Sequence, residues 1–153
     1  MIALLRIDDR LIHGQVIVGW GLYYHLDEFV ILDDDLESWE SELFLGCLED
    51  ESQGKILSLA EGKNLWQSWI DDDKKRIILI KDISTLSKFL ALNIEIEEIN
   101  LGGLHYLEGK TQYLNCCYLY DSEKELLKGI LNNYSVKYQP LPSDHKIDLK
   151  EII

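Results

Sequence analysis

Cations are what this sequence is short of: lysine and arginine total 15 against 28 aspartates and glutamates, for a formal net charge of −13. A surface that negative repels phosphate backbones and anionic headgroups, which excludes nucleic acid and charge-driven membrane binding. Proline occurs only twice and no Gly- or Ser-rich linker interrupts the chain, so the 153 residues are expected to form one domain, 1–153. Long hydrophobic runs are also missing. No stretch approaches the ~20 apolar residues of a membrane span. The opening run Ile2-Ala3-Leu4-Leu5 is too short for a signal peptide and is cut by Arg6, Asp8, Asp9 and Arg10. Cys47, Cys116 and Cys117 make no CxxC pair and read as small thiols in a reducing cytoplasm. The histidines are scattered, with no two at helical ligand spacing, so no metal is expected.

What is present alternates regularly. Apolar runs at Ile2–Ile7, Phe29–Leu32, Lys55–Leu59, Arg76–Ile80, Ile96–Leu101, Thr111–Tyr120 and Val136–Gln139 predict strands. Amphipathic segments at Val16–Leu26, Leu36–Leu48, Glu61–Ile70, Ile83–Leu92 and Asp121–Asn132 predict helices. Ser84 is a candidate N-cap, and Leu36, Trp39, Leu43 and Cys47 form an apolar spacing on the second helix. Pro140 and Pro142 are expected to close the fold and leave a polar tail. Continuous apolar strands between helices imply a single-domain α/β fold, a mainly parallel sheet of about seven strands with helices on both faces. In such sheets the site lies beyond the carboxyl ends of the strands. That edge would collect Asp8 to His13, Asp33 to Asp35, Lys81-Asp82 and Gly102 to Tyr106.

The segment Arg6-Ile7-Asp8-Asp9-Arg10-Leu11-Ile12-His13-Gly14-Gln15 carries the chemistry. A short strand delivers an imidazole to a polar turn, three residues after a guanidinium and directly before a glycine. A histidine that accepts a phosphoryl group must be unprotonated at the attacking nitrogen and then bear roughly −2 charge. Arg10 disfavours the imidazolium and can fork onto phosphoryl oxygens. Gly14 and Gln15 open the next helix, whose first amides and positive dipole end suit an anion. The acids set a condition. A carboxylate ~6 Å from one phosphoryl charge costs roughly 3 kcal/mol at an effective dielectric of ~20. Asp8 and Asp9 therefore cannot both face the phosphoryl group unpaired; one must pair with Arg6 or Arg10, or orient the imidazole. The transfer geometry predicts a protruding His13 ringed by apolar surface, with Val16, Val18 and Trp20 divided between core and contact.

Arg6 through Val16 resembles the phosphorylation-site sequence of the IIB subunit of mannose/fructose/sorbose-family sugar phosphotransferase systems. Asn100-Leu101-Gly102-Gly103-Leu104-His105-Tyr106 is similar to a second segment of that family, and the likeness spans the chain to Pro142-Ser143-Asp144. The resemblance implies a cytoplasmic phosphotransferase peripherally associated with a membrane transporter. His13 would take a phosphoryl group from phosphohistidine on a IIA subunit and pass it to a sugar held by the membrane subunits IIC and IID. Arg10 is its matched arginine neighbour and would stabilise the phosphoryl group; from the residues alone, Asp9 is read as pairing or orienting, and Gly102 and Gly103 as shaping a tight loop that His105 supports by hydrogen bonding. No cofactor is required. The acidic stretch Leu36–Asp73 with Trp39, Trp66 and Trp69 departs from the family pattern.

Two other readings compete. A regulatory paralogue could report phosphorylation state without feeding transport. Asp8, Asp9, Asp34 and Lys81 could instead form a receiver-like site phosphorylated on aspartate with magnesium, although its acceptor would then follow the wrong strand.

Overall fold

The computed structural model describes residues 1–153. Nine strands run β1 Ile2–Asp8, β2 Glu28–Leu32, β3 Gly54–Leu57, β4 Arg76–Ile80, β5 Glu98–Gly103, β6 Thr111–Leu114, β7 Cys117–Leu119, β8 Ser135–Tyr138 and β9 Ile147–Asp148. The helices are α1 Gly21–Tyr24, α2 Ser38–Leu45, α3 Leu59–Asp71, α4 Ile83–Leu90 and α5 Asp121–Leu131, with a π-helical segment at Gln15–Trp20 leading into α1. The main sheet has seven strands in the order β3-β2-β4-β1-β5-β8-β9, all pairs parallel except β8 with β9.

Alternation along the strands builds two cores. Val30, Leu32, Ile78 and Ile80 join Leu5 and Ile7 on one face, under Trp66 and Trp69 of α3, Phe89 of α4 and Leu127 of α5. Phe29, Ile31, Ile77 and Leu79 point the other way, under Leu11, Ile12, Val16 and Trp20. Each fully buried aliphatic side chain contributes about 2 kcal/mol relative to exposure, so the central strands are fixed by burial on both sides.

The expected architecture holds, with differences in membership. Thr111–Tyr120 is not a strand of the main sheet. Residues 115 and 116 turn it back on itself as the β6–β7 hairpin, attached to the rest by a bridge between Leu104 and Cys117. The seventh strand comes from the segment read as a polar tail: β9 pairs with β8, and Leu149 just beyond it is fully buried. Two residues are too few for a period-2 signal to show. Asp82, not Ser84, caps α4, its carboxylate accepting from the Thr85 amide at 2.7 Å. Of the apolar spacing read on the second helix, Trp39, Leu43 and Cys47 face outward and only Leu36, just before α2, packs against the core; none of the residues of α2 is buried.

The amino-terminal end of the sheet is fastened by charge. Arg76, 2 % exposed at its side chain, reaches Glu28 at 3.0 Å and Asp72 at 2.7 Å, and Lys55 reaches Glu28 at 2.7 Å. The amino terminus adds a contact of 2.7 Å to Asp72. Burial pushes the Glu28 carboxyl up, but the hydrogen bonds from Lys55 and Arg76 outweigh it and hold the group below its ordinary value. Bonds from Arg76 and the terminal amine lower Asp72 as well. Lowered carboxyls stabilise the fold above their unfolded-state range and lose that contribution as pH falls. Glu28→Gln should therefore cost about 2 kcal/mol near neutral pH, because it removes the buried one of the two carboxylates that hold Arg76 and leaves only Asp72. The gap from wild type should narrow as pH drops below about 4.5; urea unfolding at several pH values would show it, and a gap independent of pH would contradict it.

Candidate functional site

On β1 the side chains of Leu5 and Ile7 enter one core, and the residues between and after them are Arg6 and Asp8, both fully buried. A charged pair in a central strand needs every lone pair and proton answered. Arg6 Nη2 donates to Asp8 Oδ2 at 2.8 Å and to the Pro140 carbonyl at 3.0 Å. Its Nη1 donates to Asn100 Oδ1 at 2.6 Å and to the Gln139 carbonyl at 3.1 Å, and its guanidinium lies 5.6 Å from the Trp20 ring centroid. Burial pulls the Arg6 pKa down, opposed chiefly by the Asp8 charge.

Gly102 makes this possible. A Cβ there would sit 1.9 Å from Arg6 Cζ, so only glycine leaves room for the guanidinium. Gly102 and Gly103 are the last residues of β5 rather than a tight loop, and Gly103 pairs with Asp8 across the strands. Asn100, Gln139 and Trp20 were not identified from sequence as members of this site. An arginine at a strand position between apolar residues was the one available signal.

Asp8 also holds the turn. Its Oδ1 accepts from the Arg10 amide at 3.1 Å and lies 3.6 Å from Arg10 Nε, while its carbonyl accepts from the Leu11 amide. Leu11 takes the left-handed conformation, φ 52, and thereby drops its side chain into the core and aims its carbonyl at His13 Nδ1, 2.9 Å away. Glycine's freedom is not used where the sequence suggested it: Gly14 has an ordinary helical φ of −52. What Gly14 provides is space, since a Cβ there would meet nothing within 4 Å.

His13 does not protrude. Its side chain is 16 % exposed, and Nε2 is covered without a hydrogen-bond partner, 3.8 Å from Asp8 Oδ2. The Leu11 turn folds the ring back over Asp8, which sequence spacing could not show. Arg10 is 40 % exposed and donates from Nη2 to Gln15 Oε1 at 2.8 Å. Of the apolar residues near the turn, Val16 and Trp20 are core, whereas Val18 is 62 % exposed.

Asp9 faces away from His13. It accepts from the His105 amide at 2.7 Å and contacts His105 Nδ1 at 2.6 Å, tying the turn after β1 to the loop after β5. The other acids at this edge are engaged as well. Lys81 Nζ lies 3.0 Å from Asp33 Oδ2, Asp34 accepts from the Leu59 amide, and Asp82 caps α4. No group of histidine, cysteine and carboxylate side chains has a geometry suited to a metal ion. The cavity of about 630 Å³ between Met1–Leu5 and Glu95–Glu98 lies at the opposite end of the sheet from His13 and takes no part.

Residues 2–153 match the family described as PTS system sorbose subfamily IIB component. The chain is 27 % identical to the N-acetylgalactosamine-specific phosphotransferase enzyme IIB component 1 of Escherichia coli K12, over 95 % of this chain and 94 % of that one. It is 20 % identical to the mannose-specific EIIAB component of the same organism, covering all of this chain but 48 % of that longer protein. In fold it is similar to the IIBSor domain of the sorbose permease from Klebsiella pneumoniae, with a TM-score of 0.86 at 21 % identity over 99 % of this chain and 94 % of that one.

The two acids should separate cleanly on substitution. Asp8→Asn leaves Arg6 buried without its counter-charge and should cost about 3 kcal/mol or more. Asp9→Asn alters a contact whose side chains are 32 and 41 % exposed and should cost about 1 kcal/mol or less. Denaturant unfolding measures both; equal costs would refute the distinction.

Proposed function

The chain belongs to the sorbose-subfamily IIB components of the sugar phosphotransferase system, and from that premise we propose that His13 is its phosphoryl carrier. IIB components are phosphotransferases. In this reading the donor is phosphohistidine on a IIA subunit, and the acceptor is a sugar held by the membrane subunits IIC and IID. The protein would work in the cytoplasm against the membrane complex; none of its helices is long and apolar enough to cross a membrane. Against the receiver-like alternative, the residues it needed are already engaged: Asp8 with Arg6, Asp9 with His105, Asp34 with the Leu59 amide and Lys81 with Asp33.

The observation that carries the reading is the division of charge around Asp8. Arg6 neutralises it from within the fold, at 2.8 Å with both side chains fully buried. Arg10 is thereby left only loosely paired, its Nε 3.6 Å from Asp8 Oδ1 and its shortest side-chain contact the neutral Gln15 amide oxygen. An incoming dianion can take Arg10 without exposing Asp8. Space beside Gly14 completes the receptor, the Val16 and Ile17 amides being already bonded to the His13 carbonyl. Catalysis is then positioning and charge stabilisation, in two displacements at one nitrogen.

The occluded ring adds a step. Both ring nitrogens face acceptors, Nδ1 the Leu11 carbonyl and Nε2 the Asp8 carboxylate. Whichever nitrogen attacks, the imidazole must turn out of this resting position first. Side-chain rotation of that kind is fast compared with turnover.

Incubation with phosphoenolpyruvate, the general phosphotransfer proteins and a cognate IIA should label His13 with an acid-labile, alkali-stable phosphoryl group. His13→Ala should abolish the label, and Arg10→Gln should slow its appearance about 100-fold. A fully labelled His13→Ala protein would end the proposal.

A further inference from the structure

The layer of helices on the His13 side of the sheet carries large apolar side chains outward. In α2 no residue is buried, and Trp39 and Leu43, one turn apart on a single stripe, are 62 and 59 % exposed. Cys47 continues that stripe and is also exposed. The helix is nonetheless well built: Glu37 and Glu40 close a capping box, and Phe44 and Leu36 pack against the core below it. Its outer apolar stripe is therefore not a symptom of a loose helix.

The stripe sits in a field of one sign. No lysine or arginine occurs between Arg10 and Lys55, and acids crowd residues 33–51. That field discriminates between occupants. A second copy of the chain would bring the same negative face, and an anionic lipid surface would be repelled. A polypeptide bearing lysine and arginine on an amphipathic segment fits: its stems cover Trp39 and Leu43 while its cationic heads meet glutamates. Membrane-embedded proteins present such segments on their cytoplasmic side, where loops are enriched in lysine and arginine.

Position favours the same partner. α2 follows the carboxyl end of β2, so its first turn lies at the edge that carries His13 and over the same face of the sheet. Only β4 separates β2 from β1, a lateral distance of about 10 Å. We propose that the outer face of α2, centred on Trp39 and Leu43 and rimmed by Glu37, Glu42 and Glu49, docks on a Lys/Arg-rich cytoplasmic segment of the membrane subunits. This holds the phosphoryl edge toward the sugar they carry. The inference rests on the IIB reading, and its test is chosen to read binding separately from phosphorylation.

Binding of the full-length protein is measured by flotation with vesicles carrying the membrane subunits and with bare anionic vesicles, at rising salt. Trp39→Ser/Leu43→Ser and, separately, Glu42→Lys/Glu49→Lys are compared with wild type; neither pair touches a buried residue, and the one contact to the cap that is lost is the exposed bond from the Trp39 indole to Glu37. Wild type should bind the subunit-bearing vesicles only, more weakly as salt rises. Each double variant should lose about tenfold in affinity, and the charge-reversed pair should also lose its salt dependence. Labelling of His13 by IIA should stay within about twofold of wild type. Undiminished binding by the variants, equal binding to bare vesicles, or loss of IIA-dependent labelling in the α2 variants would each overturn the proposal. Failure of His13 to be labelled in wild type would instead strike the carrier role, leaving the vesicle measurement to decide the docking face.

Discussion

Arg6 and Asp8, two positions apart on β1 and both sealed from solvent, tie the functional end of this sheet into one piece. An isolated charge at either position would be prohibitive, and even the pair gains little unless its remaining donors and acceptors are answered. Most of those answers come from across the chain, from Asn100 on β5, the carbonyls of Gln139 and Pro140 after β8, and the amide of Arg10 in the turn, with Arg6 Nε alone of the pair's atoms left without a hydrogen bond. The Pro140 carbonyl also accepts from the Trp20 indole, which brings the π-helical segment into the same arrangement. Gly102 follows as a requirement, because a methyl group there would occupy the guanidinium's place. The turn bearing Arg10 and His13 is thus anchored from beneath, by a pair that never meets the substrate.

That anchoring explains how a loop can hold an exposed cation and a shielded imidazole side by side. Leu11 and Ile12 are both buried at 1 % exposure, so the chain between Arg10 and His13 is pinned to the core. The pinning forces Leu11 into a left-handed backbone, and its carbonyl then faces the imidazole. Asp9 and His105 brace the turn from the β5 side.

Periodicity made the central sheet legible because β1, β2, β4 and β5 are buried on both faces and read as continuous apolar runs. It failed where the structure is short or bent. The β6–β7 hairpin read as one strand because Asn115 and Cys116 carry no Gly or Pro mark of a turn. The two-residue β9 has no period at all, and α4 begins at Asp82 because an aspartate satisfies the helix amides there before Ser84 can. The edge on which Arg10, His13 and His105 gather followed from reading the sheet as parallel, with loops beyond the carboxyl ends of its strands. The resting pose of His13 did not, since it depends on the φ of Leu11, for which a leucine gives no warning. The pairing of Asp8 with Arg6 was one of several pairings the spacing allowed; choosing among them needed the burial of Arg6.

The scarcity of cations bears on how such a protein can handle phosphate at all. At this edge Lys81 is bound to Asp33, whose charge helps raise its pKa against the opposing effect of burial. Arg6 is bound to Asp8. Arg10 adds a neutral partner, the Gln15 amide oxygen, to its 3.6 Å approach to Asp8, an acid that keeps Arg6 when Arg10 changes partners. A phosphorylated donor approaching a chain of net charge −13 meets repulsion at long range, but salt screens that beyond about 8 Å. Recognition must then be decided at contact, by shape, apolar surface and a locally placed cation. The exposed Val18, Leu22 and Tyr23 on the segment that follows His13 supply apolar surface where the net charge supplies none. In the proposed carrier role, an acidic protein would exchange a phosphoryl group because its attraction for phosphate is concentrated at one guanidinium and withheld from the rest of the surface.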